Sequence, residues 1–213
     1  MAVLLTTIPV FIQAPWVRVA PMQAALFTVP VLALALLLER LGRERDSEPL
    51  RQLGVLLVGF CGSWLGGSLF WGWGRMHPIW HLPVEAFALP LALGGLNGPW
   101  RLAGSFYLAS LLGTAATDGV MALTGLMRLW PAVLGAPLTE APVLLQEAAL
   151  MVLQPCNLLS VAAGAALLAL ICRSLWLRGG SARVSSATLG TTLVVDALFL
   201  ATALLAPRWS GLI

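Results

Sequence analysis

The residues with most chemistry to offer sit in an apolar stretch, WGWGRMHPIWHLPVEAFALP, residues 71–90. It holds both histidines of the chain, His77 and His81, and a carboxylate, Glu85, among three prolines and three tryptophans. If Pro78 opens a helix with His77 at its cap, the three side chains are spaced i, i+4, i+8. They then drift only about 40° per step and share a face. Pro83 removes a backbone hydrogen bond and predicts a kink. Two chemistries fit this face. Glu85 could hold a proton inside lipid, with His81 one turn nearer water as its relay. Alternatively His77, His81 and Glu85 could ligate Zn²⁺, although the usual flanking ligands are missing. The plainer reading makes the histidines interfacial anchors like Trp71, Trp73 and Trp80, with Glu85 as a structural hydrogen-bond partner.

Other ionisable residues fall in apolar runs. A charged side chain at the bilayer centre costs at least about 2.5–3.5 kcal/mol on insertion scales, so each is a candidate for function. Asp118 follows the small-residue run SFYLASLLGTAATD, and Asp196 lies mid-span in TTLVVDALFL. Both are expected to face the interior and to form a polar patch with Glu85 and His81. Tyr107, the only tyrosine, could supply a hydroxyl. Glu147 lies in VLLQEAALMVLQPC, whose polar residues suggest an interfacial amphipathic helix. Cys61, Cys156 and Cys172 have no pairing pattern and read as packing residues. No serine triad, nucleotide loop or haem motif is present, and no cofactor is predicted.

The elements that must position these residues follow from composition. The 213 residues are 59% hydrophobic and 10% charged, against about 25% charged in a soluble domain. Charge this sparse cannot cover a water-soluble surface. Several runs reach the roughly 20 residues needed to span a bilayer. The chain reads as one all-α domain, 1–213, a polytopic transmembrane helical bundle with spans near 22–38, 53–73, 79–96, 102–127, 156–172 and 186–206. The first 20 residues, broken by Pro9 and Pro15, read as an interfacial or re-entrant segment, with a seventh short span as the alternative. No Lys or Arg precedes Arg18, so no cleavable signal peptide of the usual kind is predicted. A net charge of +3 is too small to imply nucleic acid.

Arginine placement gives orientation. Eight arginines (40, 43, 45, 51, 101, 173, 178, 183) fall in one set of loops and four (18, 75, 128, 208) in the other. This predicts a cytoplasmic 39–51 loop and both termini on the non-cytoplasmic side. Gly59, Ser63 and Gly67 form a stripe of small residues, as do Ser105, Ala109, Gly113 and Thr117, and such stripes suit close helix contact in lipid. Arg-x-x-Pro recurs at Arg18, Arg75 and Arg128, a faint hint of repeated hairpins.

SWLGGSLFWGWGRMHPIWHLPVEAFALP followed by GSFYLASLLGTAATD resembles a small cyanobacterial family of multi-pass membrane proteins of unknown function. The likeness is strongest over 60–120 and looser elsewhere, including VDALF near the end. It implies a thylakoid or cytoplasmic (inner) membrane of a photosynthetic bacterium and supplies no activity. The family pattern carries other residues at His77, which argues against mechanisms needing both histidines. A fainter likeness links Pro-Val-Glu to the Pro-x-Glu-Glu motif of small membrane-bound lycopene cyclases, with Ala86 at the second Glu; it implies Glu85 as an acid in an apolar pocket. The leading expectation is a non-enzymatic accessory or binding protein, holding a lipid, quinone or pigment or docking a membrane-protein complex. A membrane-embedded enzyme acting on an isoprenoid through Glu85 and a small transporter are the alternatives.

Overall fold

A computed structural model describes residues 1–137 and 139–210, which are helical throughout apart from turns and connections. Helices α1 (Ala2–Val19), α2 (Pro21–Glu44) and α3 (Glu48–Gly74) come first. Two short helices follow, α4 (His81–Glu85) and α5 (Leu89–Gly95), and then α6 (Arg101–Leu123). After α7 (Trp130–Gly135) and α8 (Ala141–Val152) come α9 (Pro155–Arg178), α10 (Gly180–Leu205) and the four-residue α11 (Pro207–Ser210). Among the described residues, six helices are long and apolar enough to cross a membrane: α1, α2, α3, α6, α9 and α10.

The number of long helices matches expectation, but their identities differ at two places, and proline explains both. Pro9 and Pro15 do not stop α1. The backbone widens into a π turn over Pro9–Gln13, where the Ala14 N–H bonds the Pro9 carbonyl. One wide turn accommodates the proline and lets the helix continue. Of the two readings of the first 20 residues, this geometry fits the span. The expected span 79–96 is instead four short pieces: a 3₁₀ turn Pro78–Trp80, α4, a 3₁₀ turn Ala86–Ala88, and α5. Pro78, Pro83 and Pro90 each fall in the first turn of a piece, where a missing N–H leaves no bond unmade. The hydrophilic stretch 39–51 is mostly helix end rather than loop. The chain reverses over three residues, with Asp46 at φ 51°, a left-handed conformation that Asp tolerates better than most residues.

Tyr107 fills the break between α4 and α5. Its hydroxyl donates to the Glu85 carbonyl and accepts from the Ala88 N–H at 3.1 Å. A phenol thus replaces the helical bonds the break gives up, which an apolar surrounding requires of any interrupted backbone.

Close contacts set the direction of each helix. The Trp64 indole N–H donates to the Ala24 carbonyl at 2.7 Å, and a Cβ on Gly54 would sit 2.5 Å from the Ala35 carbonyl. So α2 and α3 are antiparallel. A Cβ on Gly59 would lie 2.5 Å from the Ala103 carbonyl, and one on Gly62 would lie 2.9 Å from the Tyr107 ring, so α3 and α6 run parallel. Between them the broken segment 78–95 must run back, and it does. Gly66 abuts Glu85, and a Cβ on Gly104 would meet the Ala92 carbonyl at 2.5 Å. The small-residue stripes therefore lie at helix contacts. Helix α10 is parallel to α6: Ser185 Oγ donates to the Ser105 carbonyl at 2.9 Å, and a Cβ on Gly113 would lie 2.8 Å from Thr192 Oγ1. Helix α9 is the outermost, with Leu168 its buried residue.

Helix α1 runs parallel to α3, with Ala2 and Leu5 packed in one cluster with Leu56 and Phe60. Met1 then lies with Glu48, Arg51, Arg101 and Gly180 at one end of the bundle. Helix α11 packs on α8 and the far end of α10. Met1 and α11 thus lie at opposite ends of the bundle, α1 adding one pass ahead of α2. Reporter fusions preceding Met1 and inserted at Asp46 should fall in one compartment, and a C-terminal fusion in the other. A C-terminal reporter in the same compartment as the Asp46 insertion would contradict this arrangement.

Candidate functional site

His81 is the first residue of α4 and Glu85 the last, one turn apart. His81 Nε2 lies 3.3 Å from Glu85 Oε1. On the other side of the ring, Nδ1 lies 3.1 and 3.0 Å from the two carboxylate oxygens of Asp118, on α6. His81 and Asp118 are only 7% and 8% exposed. An ionised carboxylate accepts and never donates, so a doubly protonated imidazolium satisfies both contacts at once. A neutral ring serves the same geometry if one carboxyl carries the proton. Either way the group holds a proton that several atoms can share.

The ring is boxed by aromatic side chains. Phe70 stacks on His81, with centroids 4.1 Å apart and planes at 24°. Trp71 meets it edge-on at 5.7 Å, and Trp130 lies at 5.7 Å, stacked on Trp71. Trp130 opens α7 and is anchored by its indole N–H to the Arg75 carbonyl at 2.7 Å. Stacked faces and edges of this kind exclude water and fix the imidazole plane.

Two threonines on α6 extend the group. Thr114 Oγ1 donates to Glu85 Oε2 at 2.9 Å, and Thr117 Oγ1 donates to Asp196 Oδ2 at 2.7 Å. Thr117 precedes Asp118, so Asp196 joins the group through the neighbouring residue. These side chains border a cavity of about 270 Å³, lined also by Ser63, Ser110, Phe106, Phe199 and Gln13. Gln13 comes from the π turn of α1 and donates to the Ser68 hydroxyl at 2.6 Å and to the Trp64 carbonyl.

The structure brings together His81, Glu85, Asp118 and Asp196, and sets Tyr107 behind Glu85 on its backbone. His77 is not with them. It caps the Pro78–Trp80 turn and is exposed, because the 3₁₀ turn breaks the register that a continuous helix would have kept. The face of His77, His81 and Glu85 is therefore not formed, and among the described residues no group of three or more His, Cys, Asp or Glu is arranged to hold a metal ion. Nor is His81 a surface anchor: it is buried, whereas Trp73 and Trp80 are 54% and 58% exposed. Glu147 is exposed on α8. Sequence reasoning missed Gln13, Thr114, Phe70 and Trp130, and read Thr117 only as part of a small-residue stripe. Gln13 had a signal, being the one amide in an apolar run; Thr114 had none beyond lying one helical turn before Asp118.

A helical membrane protein whose interior carries an imidazole between two carboxylates, with a third close by, is the class this fold and geometry define. The chain belongs to the family described as "Protein of unknown function (DUF3120)", which it matches over residues 2–204. No curated protein and no solved structure matches it.

Removing His81 leaves Asp118 buried without its partner. Breaking a buried pair from one side destabilises by roughly 3–5 kcal/mol. His81→Ala should therefore lower the unfolding midpoint in detergent sharply. His77→Ala should change stability by no more than about 0.5 kcal/mol, as exposed substitutions do. Equal effects of the two would refute the burial of His81.

Proposed function

We propose that this protein binds a small solute in its interior cavity and exchanges it against protons, as a small transporter. The observation that carries this reading is one of charge. Glu85, Asp118 and Asp196 line the cavity with a single imidazole among them, and among the described residues no arginine lines it. One imidazolium balances one carboxylate. The remaining negative charge, held away from water, needs protons or a positively charged guest. A site that must fill or empty in step with protons is what proton-coupled exchange requires.

Size favours a small solute over the lipid, quinone or pigment expected at first. Drug-sized ligands occupy about 300–1,000 Å³, and the cavity lies just below that range. An isoprenoid substrate would enter this cavity only in part. Both carboxylate oxygens of Glu85 already have partners, which weakens its case as an acid toward such a substrate. The exposed apolar face of α9 would serve docking to a membrane-protein complex, but lipid covers such a face equally well. Arginine asymmetry supports placing the end that holds the 45–47 turn in the cytoplasm, with the N-terminus on that side and the C-terminus opposite. The thylakoid or cytoplasmic membrane of a photosynthetic bacterium, drawn from the resemblance, remains the proposed home.

A stability screen tests the reading. Purified protein would be heated with small cations, zwitterions, anions, neutral polyols and a soluble quinone. At about 100 times its Kd, a guest adds about 2.7 kcal/mol of stability, a clear rise in midpoint. We expect at least one class of small solute to stabilise the wild type and to fail with Asp196→Asn. Stabilisation by the quinone alone, or by nothing, would refute the proposal.

A further inference from the structure

We propose that the interior cavity is entered from the end of the bundle that holds the 45–47 turn, through a hydrophobic gate of Leu5, Leu56, Phe60 and Phe106. This rests on reading the cavity as a solute site and deepens it by naming the route in and what closes it.

Two spaces lie in line between the same four helices. One is the interior cavity. The other is a groove of about 690 Å³ at the end of the bundle, with Glu48, Arg51, Gln52, Arg101 and Ser181 among its polar lining. Helices α1, α3, α6 and α10 run parallel, and each passes from groove to cavity in chain order. Met1 lines the groove and Leu5 the cavity; on α3 the pair is Leu56 and Ser63. On α6 it is Leu102 and Phe106, and on α10 Val184 and Thr192. No described residue lines both spaces. At about 1.5 Å of rise per residue, these separations leave a partition roughly 6–12 Å thick.

The partition is apolar. Leu5, Leu56, Phe60 and Phe106 are buried in one cluster, and Val184 and Ala187 of α10 pack against it. A constriction lined by such side chains closes a pore by expelling water, with no charged group needed.

A packed core would also be apolar, but it would not enclose an unmet hydroxyl. Thr188 is 0% exposed, and its Oγ1 has no hydrogen-bond partner among the described residues. It follows Val184 by four residues and precedes Thr192 by four, so it shares their face and sits at the level of the partition. Ser63 Oγ, on α3 just past Phe60, is a second buried atom without a partner. A buried hydroxyl left unpaired is costly and calls for an explanation. A valine would fill the place of Thr188 without that cost. Water admitted when the gate opens supplies the missing partner. The structure is thus the closed form of the route, and the hydroxyls serve the open one.

The test is cysteine accessibility in the full-length protein, reconstituted in sealed vesicles. A small, charged, membrane-impermeant methanethiosulfonate is the probe, applied to one side at a time. Modification is read by mass spectrometry peptide by peptide, so that Cys61, Cys156 and Cys172 do not interfere. Ser181→Cys, in the groove, reports which side the probe is on and reacts fastest. Thr188→Cys reports the partition. Leu189→Cys is the control: Leu189 is 1% exposed and belongs to a different cluster, with Ala109 and Leu168. Opening of the gate wets residue 188 alone, whereas unfolding exposes both.

We expect Thr188→Cys to react at least about tenfold faster than Leu189→Cys, as local opening outpaces global unfolding, and only from the side that modifies Ser181→Cys. Phe60→Leu, which thins the partition, should speed Thr188→Cys severalfold and leave Leu189→Cys unchanged. If Thr188→Cys does not accumulate, Ala187→Cys, against the same cluster, takes its place with the same expected rates. Equal rates at 188 and 189, no reaction at 188, or reaction at 188 only from the other side would overturn the gate. A solute found by the stabilisation screen would then still stand, reached by another way. The gate observed without any stabilising solute would leave the route established and remove the guest.

Discussion

His81 stands between Glu85 and Asp118, about 3 Å from each, in a part of the bundle from which water is largely excluded. Each ion alone would be strongly disfavoured there, by several kcal/mol. Together they are tolerated only while their geometry holds. The surrounding structure is arranged around that condition. Phe70, Trp71 and Trp130 fix the ring plane, Thr114 fixes the outer oxygen of Glu85, and Thr117 ties Asp196 to the residue next to Asp118. Such a pair adds little net stability over an apolar substitute. What it holds is a proton that one imidazole and two carboxylates can share.

Holding two carboxylates on different elements against one ring demands very close backbones. That explains the glycines. Positions 59, 62, 66 and 67 face, in turn, the Ala103 backbone, the Tyr107 ring, the Glu85 backbone and the Gln13 amide. A Cβ at Gly59 would push α6 away from α3, and with it Asp118. It also explains why the histidine segment is broken. Proline lets α4 begin at His81, and the gap after Glu85 admits the Tyr107 hydroxyl, which pins the last residue of α4 to α6. In lipid, where association relies on packing and hydrogen bonds, the phenol and the stripe perform the same task from two sides.

Much of this was legible in the sequence, and the limits are physical. Composition alone placed the chain in a membrane. The cost of an intramembrane carboxylate singled out Glu85, Asp118 and Asp196 without any knowledge of packing. The i, i+4 spacing of His81 and Glu85 survived because it lies within one helical turn. The His81–Asp118 contact was not legible, since it depends on 78–95 running antiparallel to α6, and no spacing encodes that. His77 was misread because a single 3₁₀ turn suffices to rotate it off the face. The N-terminal stretch was underrated because prolines read as breaks, whereas a π turn absorbs Pro9 and brings Gln13 to the cavity.

The central claim is that His81 and Asp118 act as one unit inside the bundle. A double-mutant cycle measures this directly, using His81→Ala, Asp118→Ala and the double variant, with unfolding free energies in detergent. Contacting residues in one network couple by about 0.5–3 kcal/mol. The account predicts that the double variant is no less stable than the worse single variant, with a coupling of at least about 1 kcal/mol. Effects that simply add, within about 0.5 kcal/mol, would show that the two residues do not share a site.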